Sequence, residues 1–491
     1  MKRHYSRLFV FGVSVLLSLV YCPPYDMEID DKEIFRYAGL AILRGQVPYR
    51  DFFDHKPPMI FFINAAGLLL GGPWGLWLIN ALLAVLATVF LFNLCRQYRL
   101  PFPWLLPLLF NLMIRDRLIS LGINMTREYT TFFLVLFFCI LLGKYRYRHF
   151  LLGLLTALTF FTQQDQVLPL LPFLFYSLLA TDPVPVITRI IRLGAGFLSI
   201  TLPLFLYFAF HHSLGYFWDD AFAFNFTIYT TEKKSIGDHF RTIKRTLDAG
   251  NYEIPFMVAL VLGITSLFLE NKKKGLVFAA LAALFLSMAP EFMGARVLRV
   301  GVFCDFIYYF LPLSASVCML LFSVFAFTED KILADKKAQL PYALLLCCSL
   351  VYTALQHGTH LGRRDNDPTM NRPELSFLRQ QKVGDYQLYV FYEGQYAYFY
   401  NELKILAPSR WIYQHFWSYY ASWDPDHRLL ESIAEDLLRH HTTYVIMDSN
   451  TLSDFANPSN REWWLSFMQT HYQPVSLPGV QHSILWKLKE N

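Results

Sequence analysis

Long apolar runs, separated by short basic or mixed connections, fill the first three quarters of the chain. They fall near 7–22, 74–95, 101–114, 130–143, 150–162, 167–181, 193–210, 253–270, 275–290, 303–327 and 340–356. A helix needs roughly 20 apolar residues to span hydrocarbon, so the pattern predicts about eleven transmembrane helices, several with soft ends. Beyond about His357 the pattern changes. Residues 386–393, 442–449 and 482–488 read as strands, and 426–441 and 460–472 as amphipathic helices. Leu429, Leu430, Ile433, Leu437 and Leu438 share one face of the first of these helices, which suits docking on a sheet. The expected fold is an all-α polytopic membrane bundle over residues 1–356, with an outward loop at 23–73. A small extracytoplasmic α/β domain is expected over 357–491.

Composition supports the membrane reading. Of 491 residues, 55% are hydrophobic, 17% aromatic and 16% charged, a balance that ordinary soluble domains do not show. The Lys/Arg clusters fall on every second connection: Lys2/Arg3/Arg7, Arg96/Arg99, Lys144/Arg146/Arg148, Arg189/Arg192, Lys272/Lys273/Lys274 and Lys331/Lys336/Lys337. The positive-inside rule makes that side cytoplasmic. The loops at 30–58, 115–129, 211–250 and 291–302 and the C-terminal region then face outward. A net charge of +5 reflects this anchoring and points to membrane lipids, not nucleic acid. The first run lacks small residues in a cleavage pattern before Cys22 and reads as an uncleaved anchor. None of the seven cysteines lies beyond Cys348, so the outward domain has no disulfide framework.

Ionisable groups crowded beside a bilayer are functional candidates, and Asp30 to Pro58 holds the densest set. Ile34, Phe35, Ala38, Ala41 and Ile42 recur at helical spacing among Lys32, Arg36 and Arg44, which predicts a helix lying along the membrane surface and ending at Gly45. Asp30 with Glu33 fits a capping box, which explains one carboxylate but not three. Downstream, Tyr49, Asp51, Asp54 and His55 lead to Lys56-Pro57-Pro58, the start of a second short helix. A lone interfacial lysine would be read as snorkelling, and Asp51, Asp54 and His55 as metal ligands too few for an oxygen-rich site. No metal and no cofactor is expected. Two other outward clusters carry cations on the translocated side: Arg115, Asp116, Arg117, Arg127 and Glu128, and Glu291, Arg296, Arg299 and Asp305. Arg115, Arg296 and Arg299 are candidates for binding a phosphate, against the plainer reading of structural ion pairs. Gln163, Gln164 and Asp165 interrupt an apolar run and read as a loop between two spans or as polar groups facing a cavity.

These residues resemble a known pattern. The acid at Asp31, the helix to Leu43-Arg44-Gly45, then Pro48-Tyr49-Arg50-Asp51 and Asp54-His55-Lys56-Pro57-Pro58, followed by Gly122 to Glu128 and an α/β tail, resemble the C-type (GT-C) polytopic membrane glycosyltransferases. The likeness is to family 39-like enzymes, the bacterial relatives of protein O-mannosyltransferases and lipid A aminoarabinose transferases. It is tight over 31–58 and loose elsewhere. Lys32 stands where that family usually has the Glu of an Asp-Glu pair, which leaves Asp30, Glu33 or Glu128 as the second acid. The resemblance implies a polyprenyl-phosphate sugar donor in a bacterial cytoplasmic membrane and an extracytoplasmic glycan, lipid or protein acceptor. It makes Asp31 the general base. A carboxylate can take the acceptor's proton, and a cation such as Lys56 can stabilise the leaving phosphate, in a displacement that inverts the anomeric carbon. The aromatic stretch Phe217–Tyr229 and the tail are candidate acceptor contacts. The alternatives are a transporter or flippase of lipid-linked sugars, for which no inverted repeat is visible, and a non-catalytic GT-C relative.

Overall fold

The computed structural model describes residues 2–19, 21–23, 31–100, 102–115, 123–227, 236–249, 253–269, 273–289, 298–299, 302–303, 310–327, 373–391, 397–412, 417, 423–448, 455–478 and 483–490. The apolar runs fold as helices Lys2–Leu19, Pro73–Gln97, Leu105–Ile114, Thr126–Leu142, Arg148–Thr162, Leu171–Leu179, Val186–Phe210, Glu253–Phe268, Lys274–Leu286 and Leu311–Phe327. The run at 340–356 lies outside the described residues. Among the described residues two helices, Pro73–Gln97 and Val186–Phe210, are long and apolar enough to cross a bilayer, and seven apolar helices are shorter. At 1.5 Å per residue, 25 residues reach about 37 Å.

Helix Thr126–Leu142 is buried at every position and forms the axis of the bundle, packed by Pro73–Gln97, Arg148–Thr162 and Leu311–Phe327. Around that axis the outer helices turn large apolar side chains outward, among them Leu82, Leu179, Leu198, Phe210, Phe268 and Phe278. A soluble domain would hide such a belt; in a bilayer it is the lipid-facing surface. Arg148–Thr162 and Val186–Phe210 approach backbone to backbone. A Cβ on Gly153 would fall 1.9 Å from the Leu193 carbonyl oxygen and one on Gly196 2.0 Å from that of Phe150, so only glycine fits at this crossing.

Beyond residue 372 the chain builds a four-stranded mixed sheet in the order Leu388–Phe391, Tyr444–Asp448, Ser483–Leu488, Tyr472–Val475. The first pair is parallel, linked through helix Arg428–Arg439, and the other pairs are antiparallel. The three strands read from the sequence are present. The fourth continues straight out of helix Pro458–His471, where the amphipathic reading hid it. Leu430, Ile433 and Leu437 are buried as the helical face requires, but Leu438 is exposed, so the apolar stripe is narrower than its leucines suggest.

Between the first apolar helix and Pro73–Gln97 lie two helices, Asp31–Leu43 and Met59–Gly71, the second set off from Pro73–Gln97 by Gly72. They cross closely, since a Cβ on Gly39 would lie 2.7 Å from the Asn64 carbonyl carbon. Helix Asp31–Leu43, expected along the membrane surface, also packs against protein. Lys32 and Glu33 are buried, and the helix's polar side is covered by the C-terminal region. Asn401 donates to Glu33 Oε2 at 2.6 Å, Arg36 bridges to Glu402 at 3.3 Å, and the Ala407 N–H donates to the Tyr37 hydroxyl at 2.9 Å. Polar residues interspersed on this helix are there to meet a second protein surface, and periodicity alone does not distinguish that from water.

Candidate active site

The site begins with the turn between the two loop helices. Val47 and Asp51 start it: the Val47 N–H donates to Asp51 Oδ2 at 2.7 Å, and Arg50 Nε holds Oδ1 at 2.8 Å. Partial burial pushes the Asp51 pKa upward, but these hydrogen bonds and the Arg50 charge outweigh it and hold the carboxyl below its ordinary range. Asp51 is therefore a brace for the turn. Tyr49 adopts a left-handed conformation (φ 68°), rare for a bulky residue. It is held there by its hydroxyl, which donates to the Lys56 carbonyl at 2.7 Å, and by the rings of Phe61, Phe208 and Phe217. Burial raises the Tyr49 pKa well above the usual phenol value, so it remains a neutral donor.

This scaffold presents Asp54, His55 and Lys56. Asp54 Oδ1 accepts the Lys56 N–H at 2.9 Å and lies 3.7 Å from His55 Nδ1; both side chains are almost wholly buried. Asn225 donates to the His55 carbonyl at 2.8 Å, tying the turn to the segment Leu214–Thr227. Lys56 Nζ then reaches Asp31 Oδ2 at the head of helix Asp31–Leu43, 3.8 Å away, with 10% of the lysine and 23% of the aspartate side chain exposed. Thus the structure brings together two residues 25 positions apart, a largely buried lysine and a partly exposed aspartate, in a pairing too long for a hydrogen bond. Among the described residues no three His, Cys, Asp or Glu side chains converge.

A group that the sequence reading passed over lies beside this turn. Arg410, from the C-terminal region, makes a close ion pair with Asp220 and stacks on Trp411 at 4.9 Å, Tyr216 at 5.1 Å and Phe53 at 5.9 Å. The Arg410 carbonyl also accepts the Phe53 N–H at 2.7 Å. Burial is the largest influence on Asp220 and raises its pKa; Arg410 opposes it, while Asp219 and Asp54 add like charge, leaving the carboxyl at about 7. The available signal in the sequence is two adjacent acids, Asp219-Asp220, inside an aromatic stretch.

The chain has the fold of ArnT. The solved structure of ArnT from Cupriavidus metallidurans bound to undecaprenyl phosphate matches with a TM-score of 0.61 and 11% identity, over 97% of each chain. Its apo structure matches with a TM-score of 0.63 and 12% identity, over 99% of this chain and 98% of that one. No family model matches the sequence, and comparison with curated proteins gives no match. The shared feature is therefore the backbone architecture, a largely helical GT-C fold of the polytopic membrane type.

Within the ArnT-like fold the remaining candidates are dispersed. Arg115 and Glu128 pair with each other inside the bundle at 2.7 Å, and Arg115 Nη2 donates to Asn80 at 2.9 Å. Arg115, a candidate phosphate ligand, is thereby placed in a buried ion pair, the plainer of the two readings of its cluster, and Glu128 is equally enclosed. Glu33, the other described second-acid candidate, binds Asn401. Arg127 pairs with Asp165 at 2.9 Å and Thr126 donates to Gln163, so the polar interruption at 163–165 closes a chain reversal against the central helix. Arg299 lies in a two-residue strand, and Asp30 and Arg296 lie outside the described residues.

Proposed function

We propose that this protein is a membrane glycosyltransferase that moves a sugar from a polyprenyl-phosphate donor to an acceptor on the outward side of a bacterial cytoplasmic membrane. The observation that carries the reading is the convergence of a partly exposed Asp31 with Lys56 in a GT-C fold. A solved protein with that fold, ArnT, was captured bound to undecaprenyl phosphate. In the proposed step an acceptor hydroxyl attacks the anomeric carbon and the Asp31 carboxylate takes its proton. The bond from that carbon to the carrier phosphate breaks, and its electron pair leaves on the phosphate oxygen. Lys56 meets the charge that gathers there. The long Asp31–Lys56 separation suits this exchange, because the ammonium can turn from carboxylate to phosphate without breaking a hydrogen bond. Tyr49, Asp51 and Asp54 fix the turn, which keeps Lys56 in register. Attack opposite the leaving phosphate inverts the anomeric centre.

The test is transfer by purified protein from a panel of radiolabelled polyprenyl-phosphate sugars to membrane extract containing lipid, glycan and protein acceptors. The reading expects label to move from at least one donor, and to stop moving when Asp31→Asn replaces the wild type. Absence of transfer from every donor, with the same protein moving labelled lipid-linked sugar across a vesicle bilayer, would favour the transporter reading.

A further inference from the structure

The ends of the helices opposite the candidate active site enclose a second feature. A cavity of about 890 Å³ lies between the turn after Thr126–Leu142, the start of Arg148–Thr162, the turn after Leu171–Leu179 and the start of Lys274–Leu286. Val186–Phe210 places the two sites at its two ends: Arg192, near its start, lines the cavity, and the His211 carbonyl, just past its end, accepts from Arg50 of the outward turn. The cavity is thus on the face that the Lys/Arg clusters mark as cytoplasmic. Six Lys and Arg side chains line it against one carboxylate, Asp182, which is largely buried and paired with Arg148.

Three observations separate this cavity from a generally basic membrane face. The cations converge on one open cleft of ligand size, whereas orientation in the membrane requires only that they lie on one side. Their supports are built in. Arg189 donates to the carbonyls of Ser177, Leu178, Ala180 and Val184, fixing the turn that carries Asp182, and Lys273 sits 4.8 Å from the Phe327 ring centroid. The walls also match an interfacial ligand. Tyr98 and Tyr176 line the cavity, while Phe175 and Leu179, beside Tyr176 on the same helix, are 62% and 83% exposed toward the lipid side. We propose that this cavity is a binding site for a phosphate group, held by Arg192 and Lys273 beside the Arg148–Asp182 pair, distinct from the outward site. Planar guanidinium groups bind phosphate bidentately, and an ammonium adds a compact charge. The phosphate reaches the cavity either on an inner-leaflet lipid, whose chains would lie along Phe175 and Leu179, or on a soluble ester.

The test uses the full-length protein, with Arg192→Gln/Lys273→Gln set against Arg96→Gln/Arg99→Gln. The second pair removes the same charge from the same face without touching the cavity lining. Native mass spectrometry measures retention of phosphatidylglycerol over phosphatidylcholine, and thermal unfolding measures stabilisation by inorganic phosphate and by glycerol phosphate. The expected result is that the cavity variant loses phosphate-dependent binding by about tenfold or more and the Arg96/Arg99 variant does not. Loss in the lipid arm identifies a headgroup; loss in the soluble arm identifies a free ester. Equal loss in both variants, or no anion preference in the wild type, overturns the proposal. If the cavity double variant does not accumulate, Arg192→Gln alone, at an exposed position, carries the same comparison with about threefold loss expected.

Discussion

Arg115–Glu128 and Asp31–Lys56 are both ion pairs at helix ends, and in sequence both look like chemistry. Their circumstances differ. Arg115 and Glu128 meet at 2.7 Å with side chains 2% and 0% exposed; Asn80 takes a second guanidinium nitrogen, and the Asn124 N–H donates to Glu128 Oε2 at 3.1 Å. Asp31 and Lys56 stand 3.8 Å apart and partly open. A closed, hydrogen-bonded pair in low dielectric resists partner exchange because each lost contact leaves a buried charge. A loose pair at an opening can exchange partners. The difference lies in how each charge is satisfied, not in how much charge the loop carries.

The largest effect expected from this contrast concerns the closed pair. Glu128→Ala leaves the Arg115 guanidinium buried beside Tyr21 and Phe132 without its counter-charge, which should cost about 3–5 kcal/mol of stability. Thermal unfolding in detergent should show it as a large loss of melting temperature. Arg115→Met/Glu128→Leu, which removes both charges and keeps volume, should recover most of that loss. A Glu128→Ala protein that melts like wild type would collapse the contrast between the two pairs.

The open pair should behave in the opposite way. Asp31→Asn and Lys56→Ala should each lower transfer by about a hundredfold, near 2.7 kcal/mol in barrier, while melting stays within about 1 kcal/mol of wild type. Because the two residues act on one step, the double variant should lose little more than either single change. Equal damage to melting and transfer would move Asp31–Lys56 into the same structural class as Arg115–Glu128.

Much of the helical architecture was legible because membrane burial is written in runs of apolar residues. The same directness let the turn at 45–58 be read, since Gly45 admits the left-handed backbone that ends the helix and Pro48 and Pro57-Pro58 restrict theirs. What the sequence could not show was which charges meet. Glu33 faces Asn401 and Arg410 reaches Asp220 across separations of 368 and 190 residues. No periodicity encodes such pairings. Strand Tyr472–Val475 escaped for a related reason: its residues follow a helix without a turn signal, and its pairing with Ser483–Leu488 decides its conformation.

A third pair of surfaces, helix Asp31–Leu43 against the C-terminal region, should show an intermediate effect. Asn401 Nδ2 donates both to Glu33 Oε2 and to the Glu33 carbonyl, and Glu33 is 3% exposed. Asn401→Ala strands a buried carboxylate, so about 1.5–3 kcal/mol of stability should be lost, less than for Glu128→Ala because Arg36 remains 3.5 Å from Glu33. Limited proteolysis should cut the C-terminal region faster in this variant. Unchanged proteolysis and melting would mean that the aromatic contacts, Tyr37 with Tyr400 at 5.2 Å among them, hold the two surfaces alone.

The smallest effect tests Asp220–Arg410, which is close like the buried pair yet sits beside the open one. The Asp220 carboxyl titrates at about 7 in the folded chain against an ordinary value of 3.8. The folded state therefore binds this proton more tightly than the unfolded state. The stability that it contributes is fully present below about pH 4 and is lost as pH rises through 7. Between pH 6 and 8 the wild type should lose about 1 kcal/mol relative to Asp220→Asn, whose amide does not titrate. Unfolding measured at both pH values, in both proteins, isolates this group from the other carboxylates. Parallel pH dependence in the two would show that Arg410 keeps Asp220 ionised throughout, and would place the pair with Arg115–Glu128 as a permanent tie between the C-terminal region and the outward turn. A difference of the predicted sign instead leaves an uncharged carboxyl beside Asp54 near neutral pH, so that the turn presenting Lys56 carries one negative charge fewer when a phosphate approaches.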